Sequence, residues 1–225
     1  MTAKRLARVK DIIGNRQPDL TVFMDNVHKP HNVAAVVRTC DAVGVPNVHG
    51  AWLSEELRQS ATAAMGSQRW VSVKMHDQSA AGIQSLKAEG MQVLAAHLDE
   101  TAVDFRQIDY TKPTCIVMGQ EKHGLQRELL PLVDQTIIVP MVGMVESLNV
   151  SVATALILYE AQRQRTEANL YPREVDWESP PVQQQIFEWM QPKMAQICQE
   201  KNIPYPPLDN DGDILNPSEW FAQYR

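Results

Sequence analysis

The sequence contains little cysteine and no long apolar segment. Its 225 residues include three cysteines, an odd number without a CxxC pair, which argues against a disulfide framework and against a zinc site. The most apolar stretch, residues 150–159, is interrupted by Ser151 and Thr154 and is too short to span a bilayer. The charged residues 1–10 precede no apolar run and do not resemble a secretory signal. We therefore expect a cytoplasmic protein without a metal or a membrane segment.

The chain also lacks an excess of positive charge. Its net charge is −6, which disfavours binding to a polyanion such as nucleic acid. The charge is unevenly distributed, however: residues 1–40 hold seven Lys or Arg and three acids, whereas residues 171–225 hold four and nine. This asymmetry leaves room for a basic face.

Glycine-rich nucleotide loops are absent as well. The first predicted strand, LTVFMD at 20–25, is followed by NVHKPHN and not by GxGxxG, which excludes the common dinucleotide and methyltransferase glycine loops. The segment GQEKHGL at 119–125 has glycines at P-loop spacing but lacks the Lys and Ser/Thr that follow them in a P-loop. Neither common phosphate-binding loop is therefore expected.

Strands and helices alternate along most of the chain, which predicts an α/β fold with a largely parallel sheet flanked by helices. A basic amphipathic helix is expected at 4–15, and a second helix is expected to begin with Asn32 as its N-cap and to stop at Gly44. The longest helix begins near Asn149. Further strands are expected near 47–52, 70–75, 91–96, 114–119 and 136–140.

The last part of the chain differs in composition. Eight of the fourteen prolines and three of the five tryptophans lie in residues 171–225, where short helices are expected at 181–191 and 192–201. The sequence thus predicts three segments: an N-terminal basic helix at 1–19, a central α/β domain at 20–170, and a C-terminal extension at 171–225.

Polar residues and glycines are concentrated at strand ends in three segments, 31–44, 115–125 and 137–156. In content and order these segments resemble the three motifs of the SpoU group of SPOUT methyltransferases, and the resemblance covers about residues 20–165. The N-terminal helix and the Pro/Trp-rich tail resemble the members that methylate the ribose of guanosine 18 in the tRNA D-loop. The resemblance implies transfer of a methyl group from S-adenosylmethionine to a tRNA 2′-hydroxyl.

Two other functions are less consistent with the sequence. A SpoU-type methyltransferase acting on ribosomal RNA often carries a substrate-binding domain before the catalytic one, and only about twenty residues precede the first strand here. An RNA-binding module without catalysis would have degraded motifs, whereas the motif residues are intact. The resemblance further implies a homodimer and a C-terminal deep trefoil knot that binds the cofactor.

Each candidate residue also has an ordinary structural explanation. By itself, Arg38 would be a solvated surface charge, and Asn32, Ser147 and Asn149 would be helix caps. The resemblance assigns Arg38 to activation of the ribose hydroxyl, although a free guanidinium is a poor general base and is better suited to positioning and charge stabilisation. It implies this catalytic set: Arg38, Asn32, Glu121, Ser147 and Asn149.

The resemblance also implies ligand contacts. Apolar residues that would otherwise be core are expected to contact S-adenosylmethionine: Ala96, Gly119, Val139, Met144 and Leu148. Basic residues that would otherwise serve solubility are expected to contact tRNA, mainly through its phosphates: Arg5, Arg8, Arg16, His31, Arg163, Arg165 and Arg173.

Overall fold

A computed structural model describes residues 2–54, 56, 58, 59, 70–120 and 124–224. The chain divides into two compact units, one formed by residues 17–171 and the other by residues 1–16 together with 172–225. Whereas the sequence suggested two separate terminal segments, the structure groups the N-terminal helix and the C-terminal extension into one unit.

The strands that the structure describes in the larger unit are β1 (Leu20–Asp25), β2 (Asn47–Ala51), β3 (Ser72–His76), β4 (Gln92–Ala96), β5 (Val103–Asp104), β6 (Thr114–Met118) and β7 (Gln135–Ile138). They form a sheet in which every pairing is parallel and the strand order is β3-β2-β1-β6-β4-β7-β5. The expected parallel α/β sheet is confirmed. The two-residue strand β5 was not predicted, because so short a segment has no recognisable periodicity.

The α-helices that the structure describes lie in both units. Two 3₁₀ segments, 105–107 and 127–132, lie in the larger one. The helices are α1 (Ala3–Gly14), α2 (Pro30–Ala42), α3 (Ser79–Ala88), α4 (Val150–Glu167), α5 (Pro180–Met190), α6 (Pro192–Lys201) and α7 (Pro217–Gln223).

The sheet has an apolar layer on each face. Val22 and Met24 of β1 join a cluster that includes buried residues of α2 and α4, whereas Phe23 joins a second cluster with buried residues of α3. This alternation follows from the two-residue period of a strand. Because β1 is central, all six of its residues are buried.

Helix α2 begins earlier than the sequence suggested. Asn32 was expected to be its N-cap, but the helix starts at Pro30 and Lys29 is the N-cap. Proline favours the first helical position because its missing N–H is not needed there and its φ is already helical. Asn32 therefore lies within the first turn, and its buried side chain is available for a tertiary contact.

The smaller unit has its own core. Val9 and Ile13 of α1 are buried together with Ile186, Trp189 and Met190 of α5. Within the described ranges, no helix combines the length and apolarity needed to cross a membrane.

Candidate active site

Three of the residues expected to contact the cofactor meet at one edge of the sheet. Ala96 ends β4, Gly119 directly follows β6, and Val139 directly follows β7. These strands are neighbours, and Ala96 is in register with Met118 on one side and Ile137 on the other. Ligands of parallel α/β sheets bind beyond the carboxyl ends of the strands. The three residues therefore lie where the fold favours a ligand.

Gly119 is constrained by the loop that follows it. A Cβ at this position would lie 2.4 Å from the carbonyl carbon of Gly124, so no other residue fits without a backbone shift. Gln120 and Gly124 exchange two backbone hydrogen bonds of 3.0 and 2.9 Å, and Gly124 has a φ of +65°. Gln120 and Gly124 are thus held against each other directly after β6. Glu121, expected to be catalytic, lies outside the described residues.

The segment between β7 and α4 contains the remaining cofactor candidates. The Met144 side chain is 100% exposed, so it does not form one wall of an adenine slot within this chain. Leu148 is half-buried and Ser147 is exposed. The structure therefore does not bring the Met144 side chain onto the edge occupied by Ala96, Gly119 and Val139.

Asn32 and Asn149, which are 117 positions apart, are joined by a side-chain hydrogen bond. Asn149 Nδ2 donates to Asn32 Oδ1 at 3.2 Å. Asn149 is also the N-cap of α4, since its Oδ1 accepts from the Ser151 backbone N–H at 2.9 Å and from the Ser151 hydroxyl at 2.6 Å. The first and third motifs thus meet at the start of α4.

Ser151 was missed by the sequence analysis as a site residue. Its hydroxyl and its N–H both bond the same Asn149 oxygen, which fixes the amide so that its NH₂ group points to Asn32. The spacing Asn-x-Ser at a helix start is a detectable signal, because an N-cap acceptor bonds the N–H two or three residues later.

Arg38 lies on α2, the helix that shares a core cluster with α4, and it is exposed. Its guanidinium makes no hydrogen bond or ion pair with any residue that the structure describes. All its donors are therefore available to a ligand. His31, in the first turn of the same helix, is also exposed.

Two arginines of α4 do not match the expected role in RNA binding. Arg165 is 0% exposed, and its guanidinium donates to the Tyr110, Asp19 and Lys112 carbonyls, the Gln17 amide oxygen and the Asp19 carboxylate. It has no surface on which to meet a phosphate. Arg163 is exposed, but it pairs with the carboxylates of Glu160 and Glu167 at 2.8 and 2.7 Å, which compensate its charge.

The remaining basic candidates lie in the smaller unit. Arg5 and Arg8 are exposed on α1, where Arg5 donates to the Trp189 carbonyl at 3.2 Å and Arg8 pairs with Asp11 at 2.8 Å. Arg16 is 2% exposed and lies over the Trp189 ring, so it is not a surface contact. Arg173 is half-buried.

A buried histidine of β2, His49, contacts a half-buried histidine of β3, His76. His49 Nδ1 and His76 Nε2 are 2.9 Å apart, and their rings are stacked. Burial, the neighbouring His76 and the Lys74 ammonium together lower the pKa of His49 to about 4. Among the described residues, no three His, Cys, Asp or Glu side chains are grouped so that they could hold a metal ion.

The sheet, with candidate ligand loops at adjacent strand ends, defines an α/β protein whose candidate ligand site lies at the carboxyl edge. The SpoU rRNA methylase family matches residues 19–159, and the C-terminal part of the SpoU rRNA methylases matches residues 163–217. The chain belongs to the SpoU rRNA methylase family.

Several relatives in this family are close. The tRNA (guanosine(18)-2′-O)-methyltransferase of Escherichia coli K12 is 53% identical over 224 residues, which is 99% of this chain and 97% of the relative. The crystal structure of the Aquifex aeolicus TrmH/SpoU tRNA modifying enzyme superposes with a TM-score of 0.71 at 41% identity, covering 83% of this chain and 94% of that one.

A third relative was solved with AdoMet bound. This rRNA methyltransferase from Sinorhizobium meliloti has a TM-score of 0.57 at 32% identity, and the match covers 66% of this chain and 57% of that one. Binding of S-adenosylmethionine therefore occurs within the family.

Proposed function

We propose that this protein methylates the ribose 2′-hydroxyl of guanosine 18 in the tRNA D-loop and uses S-adenosylmethionine as the methyl donor. One observation carries the proposal: the similarity to the E. coli tRNA (guanosine(18)-2′-O)-methyltransferase extends over 99% of this chain at 53% identity. The contact between Asn32 and Asn149 supports it, because it joins two residues expected to be catalytic.

The edge formed by β4, β6 and β7 fits the proposed cofactor. The side chains of Ala96 and Val139 are half-buried and pack against the core, and Gly119 has no side chain. The backbone groups of all three residues can therefore contact a ligand at the strand ends. We assign cofactor binding to these residues and to Leu148 and Met144 of the following loop. When bound, S-adenosylmethionine supplies a methyl group on a sulfonium, whose neutral thioether is a good leaving group.

Arg38 is proposed to hold the ribose hydroxyl. Its exposed guanidinium has five donors in a planar fork and can contact a hydroxyl oxygen and a phosphate oxygen at once. Developing negative charge on the 2′-oxygen is stabilised by such a fixed cation. Because a guanidinium stays protonated, Arg38 is assigned positioning and charge stabilisation and not proton removal.

Asn32 and Asn149 are proposed to support this group. Their hydrogen bond connects the first turn of α2 with the N-terminus of α4 and holds in place the helix that carries Arg38. Ser147 and Glu121 remain proposed catalytic residues on the strength of the family resemblance.

For tRNA binding we propose the exposed cations Arg5 and Arg8 of α1, together with His31 and Arg173. Phosphate contacts of this kind set affinity and position without reading sequence. Arg165 and Arg16 are excluded from this set because they are buried, and Arg163 is excluded because two carboxylates already pair with it.

We also propose that the protein is a homodimer. Val152, Leu156 and Tyr159 are 42–53% exposed and share one face of α4 at helical spacing. The loop before α4 adds Val142, Met144 and Val145, which are 61–106% exposed. Apolar patches of this kind mark interfaces. A second copy of the chain would cover them and would shield the proposed cofactor residue Met144.

We also propose a trefoil knot and a cytoplasmic location. Strand β7 is inserted between β4 and β5 rather than added at an edge, so the chain leaves the sheet from an inner position, as a knotted C-terminus requires. The three cysteines are buried free thiols, which suits a reducing compartment.

Both family segments that match this chain are those of rRNA methylases, so ribosomal RNA is the second candidate substrate. The test is transfer of labelled methyl groups to unmodified tRNA transcripts and to rRNA fragments, followed by mapping of the 2′-O-methyl nucleotide. We expect a single labelled position, guanosine 18 of tRNA. Labelling of rRNA alone, or of another tRNA position, would contradict methylation of guanosine 18.

A further inference from the structure

A cavity of about 270 Å³ opens at the carboxyl ends of β1, β2 and β3, beside the first turn of α3. None of its lining residues belongs to the proposed cofactor or catalytic sets. Its walls combine polar and apolar side chains. They are formed by Asn26, Ala51, Trp52, Leu53, Asp77, Gln78, Ser79, Ala80, Gln126, Glu128 and Leu129.

Beneath the cavity lies a buried carboxylate, Asp25, which is 0% exposed. It accepts hydrogen bonds from three residues of the cavity wall: Asn26 Nδ2 at 3.0 Å, Ser79 Oγ at 2.6 Å and Gln126 Nε2 at 2.9 Å. The Gln126 backbone N–H donates to its other oxygen at 3.4 Å. Asp25 thus fixes the orientation of the polar wall.

This arrangement determines which groups remain for a ligand. Ser79 gives its only hydroxyl proton to Asp25, and the Gln126 amide turns its NH₂ group the same way. No described residue donates to Ser79 Oγ or to Gln126 Oε1, so both oxygens remain as acceptors. The carboxylate of Glu128 adds a further acceptor at the exposed rim, whereas that of Asp77 is paired with the Arg58 guanidinium at 2.7 Å. The cavity therefore offers several acceptors and carries the negative charge of Glu128 at its rim.

Such a site selects against phosphate and favours a neutral planar group with several adjacent donors. Trp52, Leu53 and Leu129 supply apolar surface for a flat ring. Among the RNA bases, guanine presents two neighbouring donor groups on one edge, N1–H and the 2-amino group, whereas adenine presents an acceptor beside its single amino group. The volume is sufficient for a purine ring.

We propose that this cavity binds the guanine base of the nucleotide that is methylated, with Glu128, Ser79 and Gln126 accepting from N1–H and the 2-amino group. The inference rests on the proposed function and adds the origin of base selectivity. Asn26 in the cavity wall lies six positions before Asn32, so these two residues are at most about 20 Å apart.

The test compares tRNA transcripts carrying guanosine or inosine at position 18, since inosine lacks only the 2-amino group. For the unchanged protein we expect kcat/KM to be about 10- to 100-fold lower with inosine, the range for a hydrogen bond to a charged group. In Glu128→Gln the ratio of kcat/KM for the guanosine transcript to kcat/KM for the inosine transcript should fall to about threefold or less. The exposed carboxylate of Glu89, outside the cavity, gives the matched control Glu89→Gln, which should keep the ratio of the unchanged protein.

A second variant, Ala80→Leu, fills the cavity from α3. It should lower kcat/KM for tRNA at least about tenfold while calorimetric S-adenosylmethionine affinity stays within about twofold. An unchanged guanosine-to-inosine ratio in Glu128→Gln would overturn the proposal, as would weaker cofactor binding in both variants. If the unchanged protein did not methylate guanosine 18 at all, the proposed function itself would fail.

Discussion

Arg38 differs from the other arginines assigned to the site. Within the described ranges it is exposed and has no partner, whereas Arg5, Arg8, Arg163 and Arg165 each bond another residue. The guanidinium is therefore available for substrate. Its identity as an exposed arginine follows from sequence, but its lack of a partner could be seen only in the folded chain.

We predict that Arg38→Lys lowers single-turnover methylation at saturating tRNA by at least about a hundredfold, roughly 2.7 kcal/mol of transition-state stabilisation. Lysine keeps the charge but loses the planar fork. S-adenosylmethionine binding, followed by calorimetry, should remain nearly intact. Arg106→Lys, at another exposed arginine, is the control. A rate for Arg38→Lys within a few-fold of the parent would mean that Arg38 supplies only charge.

Asn149 serves two purposes that can be separated by substitution. Asn149→Asp keeps the acceptor that caps α4 but loses the NH₂ group that bonds Asn32, so activity should fall while the melting temperature is maintained. Asn149→Ala loses both contacts and should also destabilise the fold by about 1 kcal/mol. Rates and thermal unfolding of the two variants check this. Full activity in Asn149→Asp would show that the bond to Asn32 has no role.

At the scale of elements, the C-terminal end of α4 is held by Arg165. We predict that Arg165→Met lowers the free energy of unfolding by about 3 kcal/mol, because the Asp19 carboxylate and three carbonyls lose their donor. The dependence of tRNA affinity on salt should not change, since no phosphate contact is lost. Denaturant unfolding and tRNA binding at several salt concentrations measure both. A flatter salt dependence would restore Arg165 to the RNA-binding set.

The pair of strands β2 and β3 should make stability dependent on pH. The pKa of His49 falls from 6.5 in the unfolded chain to about 4 in the fold, so the unfolded state takes up the proton first as pH falls. Stability is therefore complete above pH 6.5 and is lost towards pH 4, by about 1–2 kcal/mol after allowance for solvent screening. His49→Gln should flatten this part of the stability profile. If the pH dependence of stability were unchanged in His49→Gln, His49 would not be its source.

At the scale of the whole molecule, the exposed face of α4 predicts assembly. Leu156→Glu should convert a dimer into a monomer in light scattering and reduce methylation, because a carboxylate cannot be buried in an apolar interface without a large desolvation cost. Ile197→Glu, which alters another exposed apolar residue outside this face, should leave the mass unchanged. An active monomer of the parent protein at assay concentration would refute the dimer.

The sequence alone was sufficient for the class of fold and for the family. Strand and helix periodicity are local properties, because a strand alternates every two residues and a helix every 3.6, and motif residues keep their order along the chain. Asn149 as the cap of α4 could be predicted for the same reason. The wrong N-cap at Asn32 arose where the helical preference of Pro30 outweighed the capping preference of Asn32.

Only tertiary structure decided which polar residues serve a ligand and which serve the fold. Arg163 and Arg165 are two positions apart and have the same side chain. Arg163 is exposed and pairs with two glutamates, whereas Arg165 is buried and pairs with Asp19. Asp25, Ser79 and Gln126 have no recognisable spacing, since they come from different parts of the chain. A side chain's partners depend on which elements pack together, and that information lies in contacts between residues far apart in sequence.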